Sequence, residues 1–229
     1  MSDRPVPESS GSLLGICLLA GGICVLLAGL ILVVLLVKGG REGDKPVAKQ
    51  SDGRQVVQLT PEKSRSAGWS NMAQGIVINM NDVAVDVDYV GYGEVRAKDE
   101  DNQVIVSQDK NYLRVYVNIK NLRPTVLRYN SWYGNSFSSE GGHVAATLVD
   151  DGGQQYEMLT FTGVTEVHGH TREAVLSTNE VAKDVLVFVI PRTIDRTTIG
   201  YFRLDLPAEA YGDAGIYRFE IPRRVIRGF

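Results

Sequence analysis

The chain has 229 residues, 24 Lys+Arg against 27 Asp+Glu, a formal net charge of −3 and two cysteines. From residue 55 onward 18 Lys+Arg face 22 Asp+Glu, an acidic balance that argues against a nucleic-acid-binding domain. Two cysteines supply no disulfide framework and no cysteine metal site.

Residues 1–12 form a short N-terminal tail with one base, Arg4. Leu13 to Val37 then runs 25 residues without a charge, 17 of them Leu, Ile or Val. A bilayer core about 30 Å thick takes roughly 20 helical residues. At about −0.3 to −0.6 kcal/mol per large aliphatic residue, insertion is favoured by roughly 5–10 kcal/mol. A signal peptide has a shorter apolar core, about 7–15 residues, and a small-residue cleavage site. No A-x-A follows Val37, and Ile16 and Ile23 precede the two cysteines where a lipobox requires a small residue. The segment 13–37 therefore reads as one uncleaved transmembrane helix. Gly15, Gly22 and Gly29 recur every seventh residue on one stripe of it. Such a stripe lets helix backbones approach closely, so it is the candidate for packing against another helix or for homo-oligomerisation.

After the helix come Lys38, Arg41, Lys45 and Lys49. Taken alone, the positive-inside bias puts the C-terminal domain in the cytoplasm. Residues 38–75 are rich in Gly, Ser, Lys, Asp and Gln without a sustained apolar period, and read as a flexible linker. Thr60-Pro61-Glu62 interrupts it as a helix start, with Thr as N-cap and Pro in the first turn. Gly68 limits that helix to about two turns, and the turn could lay Trp69 and Met72 on the domain.

From residue 76 to 229 the apolar period becomes two. Val83, Val85 and Val87 alternate with Ala84, Asp86 and Asp88, the pattern of a half-buried strand. In YLRVYVNIKNL, Leu113, Val115, Val117 and Ile119 point one way, and Arg114, Tyr116, Asn118 and Lys120 the other. Residues 126–132 are expected to neighbour this strand after a turn at Arg123-Pro124. Asp150-Asp151-Gly152-Gly153 reads as a hairpin turn, since glycine takes positive φ without steric cost. Residues 185–191, VLVFVIP, are continuously apolar and read as a central strand covered on both faces. Residues 201–206 and 216–221 complete the set, and prolines 191, 207 and 222 follow strands where a missing N–H does no harm. Seven or eight short strands over about 150 residues argue an antiparallel β-sandwich, with a closed barrel as the alternative.

The order of an alternating first strand, YLRVYVNIKN, a DDGG hairpin ending in QYEML, an STNE turn, LVFVIP and a final RLDLP…YRFEIP pair resembles immunoglobulin-like domains of unknown function. These occur on bacterial membrane-anchored and lipoprotein-type surface proteins. The likeness spans about residues 80–222 and consists mostly of core positions. It implies an extracytoplasmic β-sandwich used as an interaction or structural module and transfers no catalytic residue. It departs from the common form in carrying a transmembrane helix where a lipobox would stand. The resemblance therefore opposes the charge bias, and the extracytoplasmic side is favoured.

Candidate chemistry is sparse. His168 and His170, with Glu166, could project from one face as metal ligands, and His143 is the only other histidine. The glycines at 163 and 169 favour a loop there. Asp99, Glu100, Asp101 and Asn102, with Asp109 nearby, offer oxygen ligands to calcium but lack the EF-hand pattern. Tyr129, Trp132, Tyr133 and Phe137 crowd one segment and form the best candidate patch for a protein or polymer partner. Arg218, Arg223, Arg224 and Arg227 give a basic C-terminus that reads as a solvated tail. No phosphate-binding glycine loop, G-x-S-x-G, H-E-x-x-H or kinase signature occurs. Together these features describe a single-pass membrane protein whose sandwich is a non-catalytic binding or structural module without a cofactor. The alternative is a metal-dependent enzyme or metal-binding domain using His143, His168 and His170.

Overall fold

In the computed structural model of the protein the described residues are 48–51, 54–99, 101–107, 111–133, 145–159 and 166–229, with backbone alone at 48–51 and 166. All of them belong to one unit, Pro46–Phe229. In chain order the elements are β1 (Ala48–Ser51), β2 (Arg54–Leu59), a helix α1 (Pro61–Ser66), β3 (Ser70–Asn71), β4 (Ile76–Met80), β5 (Val83–Gly93), β6 (Arg96–Lys98), β7 (Val104–Val106), β8 (Asn111–Asn121) and β9 (Leu127–Asn130). There follow β10 (Thr147–Asp150), β11 (Gln155–Tyr156), β12 (Glu166–Val167), β13 (Glu173–Leu176), β14 (Val181–Ile190), β15 (Tyr201–Pro207) and β16 (Ile216–Pro222).

These strands form a six-stranded sheet, β1-β2-β4-β5-β8-β14, and a five-stranded sheet, β11-β10-β15-β16-β3. A small sheet, β12-β6-β7, and a β13-β9 pair complete the fold. Both large sheets contribute to one buried apolar cluster, so the architecture is a β-sandwich, as the alternation predicts. From the six-stranded sheet come Ile78, Val85, Val115, Val117 and Leu186; from the other come Leu148, Phe202, Leu204 and Phe219, all nearly inaccessible.

The β4–β5 connection is a two-residue turn, with Met80 opposite Val83. Asn81 and Asp82 both take positive φ, 52° and 57°, the left-handed pair that matches strand twist and that Asn and Asp tolerate best after glycine. Further along, the register of β5 on β8 slips between Val87 and Tyr89. This bulge at Asp88 shifts the buried parity from Val83, Val85 and Val87 to Val90, so one strand follows the core around a bend. The Asp150–Gly153 hairpin forms as expected, pairing Leu148 with Tyr156, and Gly153 takes φ 85°.

Four sequence expectations need correction. Residues 54–75 are not a tether. β2 runs parallel to β4, and β3 runs parallel to β16. The Thr60 hydroxyl does cap α1 by accepting from the Lys63 N–H. Ser64, fully buried, accepts from the Ile216 N–H at 3.0 Å and donates to the Pro61 carbonyl at 2.7 Å. Polar composition hid these pieces because each buries only one face.

Second, β9 pairs with β13 and not with β8. Asn121 draws the chain into a tight turn instead: its amide donates to the carbonyls of Thr125 (2.8 Å) and Leu176 (3.0 Å), and its side-chain oxygen accepts from the Arg123 N–H. Third, β14 is covered on both faces but closes the sheet at its end. Its free edge is sealed piecewise. The Leu159 N–H donates to the Val187 carbonyl, the Val189 N–H to the Glu157 carbonyl, and the Val187 N–H to the Tyr133 hydroxyl. Fourth, the basic C-terminus is not a solvated tail. The Arg227 N–H donates to Val90, its carbonyl accepts from Tyr92, and Phe229 packs edge-on against Tyr92 and Phe202.

Among the described residues no helix is long and apolar enough to cross a membrane. The segment 13–37, with Gly15, Gly22 and Gly29, lies outside the described residues.

Candidate functional site

The aromatic segment after β9 is interior. Tyr129, Trp132 and Tyr133 are 1%, 0% and 4% exposed, which removes them as a partner surface; Phe137 lies outside the described residues. Each buried ring needs a partner for its polar end. The Trp132 indole donates to the Pro207 carbonyl at 2.7 Å, and Tyr133 accepts from Val187. Tyr129 donates to the carboxylate of Asp184 at 2.6 Å.

Asp184 is the most deeply buried charged side chain among the described residues, 1% exposed. One oxygen accepts from Tyr129 and from the Ser131 hydroxyl at 2.8 Å. The other accepts from the N–H groups of Thr171 (2.8 Å) and Val185 (2.7 Å) and lies 3.0 Å from His170 Nδ1. A carboxylate can only accept, so Nδ1 carries the proton in this contact. Burial, reinforced by Asp184, pushes the Tyr129 hydroxyl well above the ordinary tyrosine range. Serine, histidine and aspartate meet here, but not as a catalytic triad. Ser131 gives its proton to the aspartate, whereas a nucleophile must bond to the base. The cluster is a buried structural knot that ties β9, β14 and the 168–171 turn together.

The histidines are not brought together as metal ligands. His168 is exposed, Gly169 turns the chain at φ 89°, and His170 is drawn inward to Asp184. His143 and the side chain of Glu166 lie outside the described residues. Among the described residues no three His, Cys, Asp or Glu side chains are grouped to hold a metal. The Asp99 carboxylate is an ordinary turn acceptor, taking the N–H groups of Asp101 and Gln103; Glu100 and Asp109 are not among the described residues.

The concave feature that sequence reading missed lies on the outer face of the six-stranded sheet. Register places two rows of side chains across five strands. One row is Gln58, Asn79, Ala84, Lys120 and Val181; the other is Val56, Val77, Asp86, Asn118 and Lys183. Sheet twist and the small Ala84 between longer neighbours make this face a groove of about 730 Å³. Asp86 sits within it, accepting from Arg54 at 2.9 Å and from the Asn118 amide at 3.1 Å. Burial holds its carboxyl above the usual carboxylate range, while Asn118 and Arg54 pull it back. Asn79 is only 6% exposed, and its side-chain oxygen has no hydrogen-bond partner among the described residues. Lys120 and Lys183 are exposed and form no ion pair among those residues. The signals in the sequence were Ala84 and Asp86 on one side of β5 and Asn118 and Lys120 on the outward side of β8; their neighbours on β2, β4 and β14 are set by pairing.

No family model matches the chain, and no curated protein matches it. Among solved structures it is similar to the yjhA protein of Bacillus subtilis at 13% identity and TM-score 0.41, over 64% of this chain and 94% of that one. An uncharacterized β-sandwich protein of Clostridium difficile matches at 13% identity and TM-score 0.40, over 67% and 94%. The lipoprotein candidate ycdA of Bacillus subtilis matches at 17% and 0.38, over 62% of this chain and 38% of that one.

Proposed function

We propose that this protein is a single-pass, membrane-anchored binding module. Its domain, an immunoglobulin-like β-sandwich facing the extracytoplasmic side, engages a partner through the outer groove of the six-stranded sheet. The observation that carries the reading is the groove itself. A sheet face that needed only to be soluble would bear mixed, mutually compensated charges. This one instead holds, among the described residues, a buried amide whose oxygen has no hydrogen-bond partner, at a cost in stability, and three cations, Arg54, Lys120 and Lys183, around the single carboxylate of Asp86. The apolar run 13–37 supports the anchor.

Site-directed crosslinking tests both parts. Val181 lies on the groove rim at 48% exposure, and Val126, in the turn before β9, is 59% exposed. Val181→Cys and Val126→Cys chains are treated in intact cells with a membrane-impermeant, photoreactive maleimide, beside the parent chain as background. Labelling in intact cells and a crosslinked adduct specific to Val181→Cys are expected. Labelling only after lysis would overturn the extracytoplasmic orientation. Equal adducts, or none, at the two positions would overturn binding through the groove.

A further inference from the structure

We infer that the groove takes an acidic, extended peptide segment about six residues long, an assignment that rests on the proposed binding role of this face. Its charge, floor, polar groups and length all point to that occupant.

The first is charge. Among the described residues Arg54, Lys120 and Lys183 line the groove against one acid, Asp86, which Arg54 and Asn118 already engage. Lys120 is opposite Val181 and Lys183 is opposite Asn118, so the two lysines are diagonal neighbours, about 7–8 Å apart at the backbone. Like charges at that spacing repel, and an anionic group between them relieves the repulsion. The whole chain is acidic, so this local excess of cations is not a reflection of composition.

The second property is the floor. Val56, Val77 and Ala84 are aliphatic, with Val181 at the rim, and among the described residues no aromatic ring lines the groove. Sugar rings are bound mainly by stacking on aromatic faces, which this floor cannot offer. Small β-branched side chains instead suit the alternating side chains of an extended peptide. Third, the polar groups between them are amides, Asn79, Asn118 and Gln58, which offer both donor and acceptor to a peptide backbone.

The last is length. The rows cross five strands. Four inter-strand spacings of about 4.8 Å give roughly 19 Å, which at about 3.3 Å per residue accommodates about six extended residues.

The test uses the full chain purified in detergent micelles. The probe is a fluorescein-labelled hexapeptide of alternating Glu and Val, read by fluorescence anisotropy beside the same peptide with Gln for Glu. Saturable binding of the acidic peptide is expected, at least tenfold tighter than the Gln peptide and weakened by salt. A Lys120→Gln/Lys183→Gln double variant should lose at least tenfold in affinity, and Lys120→Arg/Lys183→Arg should retain binding. Both lysines are exposed, so an unchanged melting temperature is expected and checks the fold. Equal binding of the two peptides, or no loss in the Gln double variant, overturns the assignment. Binding of hexagalacturonate without binding of the peptide overturns it in favour of an anionic polysaccharide. A groove-specific adduct at Val181→Cys with no peptide binding would leave the binding role intact and remove the acidic-peptide occupant alone; absence of both removes both.

Discussion

Asp184 shows how a single side chain can organise a region. Five donors converge on its two oxygens within 3.0 Å, and the knot is stable because every one of them is satisfied by the same group. Asp184→Ala strands these donors in the interior and should destabilise the domain by about 4 kcal/mol, the range for breaking a buried charged network. Urea unfolding would show the shift in midpoint. Asn79 is the opposite case, a buried amide whose oxygen has no partner among the described residues. Replacing an underpartnered polar group with an aliphatic one of similar size, Asn79→Val, removes a desolvation cost and suits a strand. It should stabilise the domain by about 1 kcal/mol in the same assay; a loss of stability would mean that the amide is structurally employed.

At the scale of elements, the segment from α1 to β3 behaves as a strap across the five-stranded sheet. Trp69 holds it: the indole donates to Asp205 at 3.0 Å, and the guanidinium groups of Arg203 and Arg218 lie over the ring at 4.5 and 5.1 Å. Burial raises the Asp205 carboxyl, while Arg218 and the indole pull it back. Two cation–π contacts and one hydrogen bond, each about 0.5–1 kcal/mol at a partly exposed site, total about 2 kcal/mol. Trp69→Ala should therefore release residues 60–71 without unfolding the sandwich. Hydrogen exchange would register this as faster exchange of the Ser64 and Ala67 amides, whose acceptors are Thr60 and Lys63, with protection on β8 unchanged.

At the scale of the whole molecule, stability depends on buried tyrosines. Tyr129, Tyr133, Tyr211 and Tyr217 are all pushed above the ordinary tyrosine range, chiefly by burial. Their ionisation is thus delayed in the folded state but begins near pH 10 in the unfolded chain. Above that pH the folded protein holds more protons, so stability falls as pH rises. Each tyrosine contributes a slope of up to roughly 1.4 kcal/mol per pH unit. The domain should unfold abruptly above about pH 10, with tyrosinate absorbance and loss of strand circular dichroism changing together. Gradual tyrosinate formation ahead of unfolding would show that the rings are open to hydroxide.

Local signals in the sequence were enough for the β class, the two-face alternation of β8, the Asp150–Gly153 hairpin, the Thr60 cap and the sandwich, because burial of one face imposes a period of two wherever a strand forms. What they could not carry depends on partners distant in the chain. Residues 54–59 look like linker because their apolar contacts come from β4, and Asn79 looks like an ordinary polar position because its environment is made by β2 and β5. Tyr129, Trp132 and Tyr133 read as a surface patch because aromatic composition is the same on a surface and in a core. Only the tertiary fold supplied Asp184, Pro207 and Val187 as the polar partners that allow those rings inside. The groove is legible only through cross-strand register, since Lys120 and Lys183 become neighbours when β8 and β14 pair.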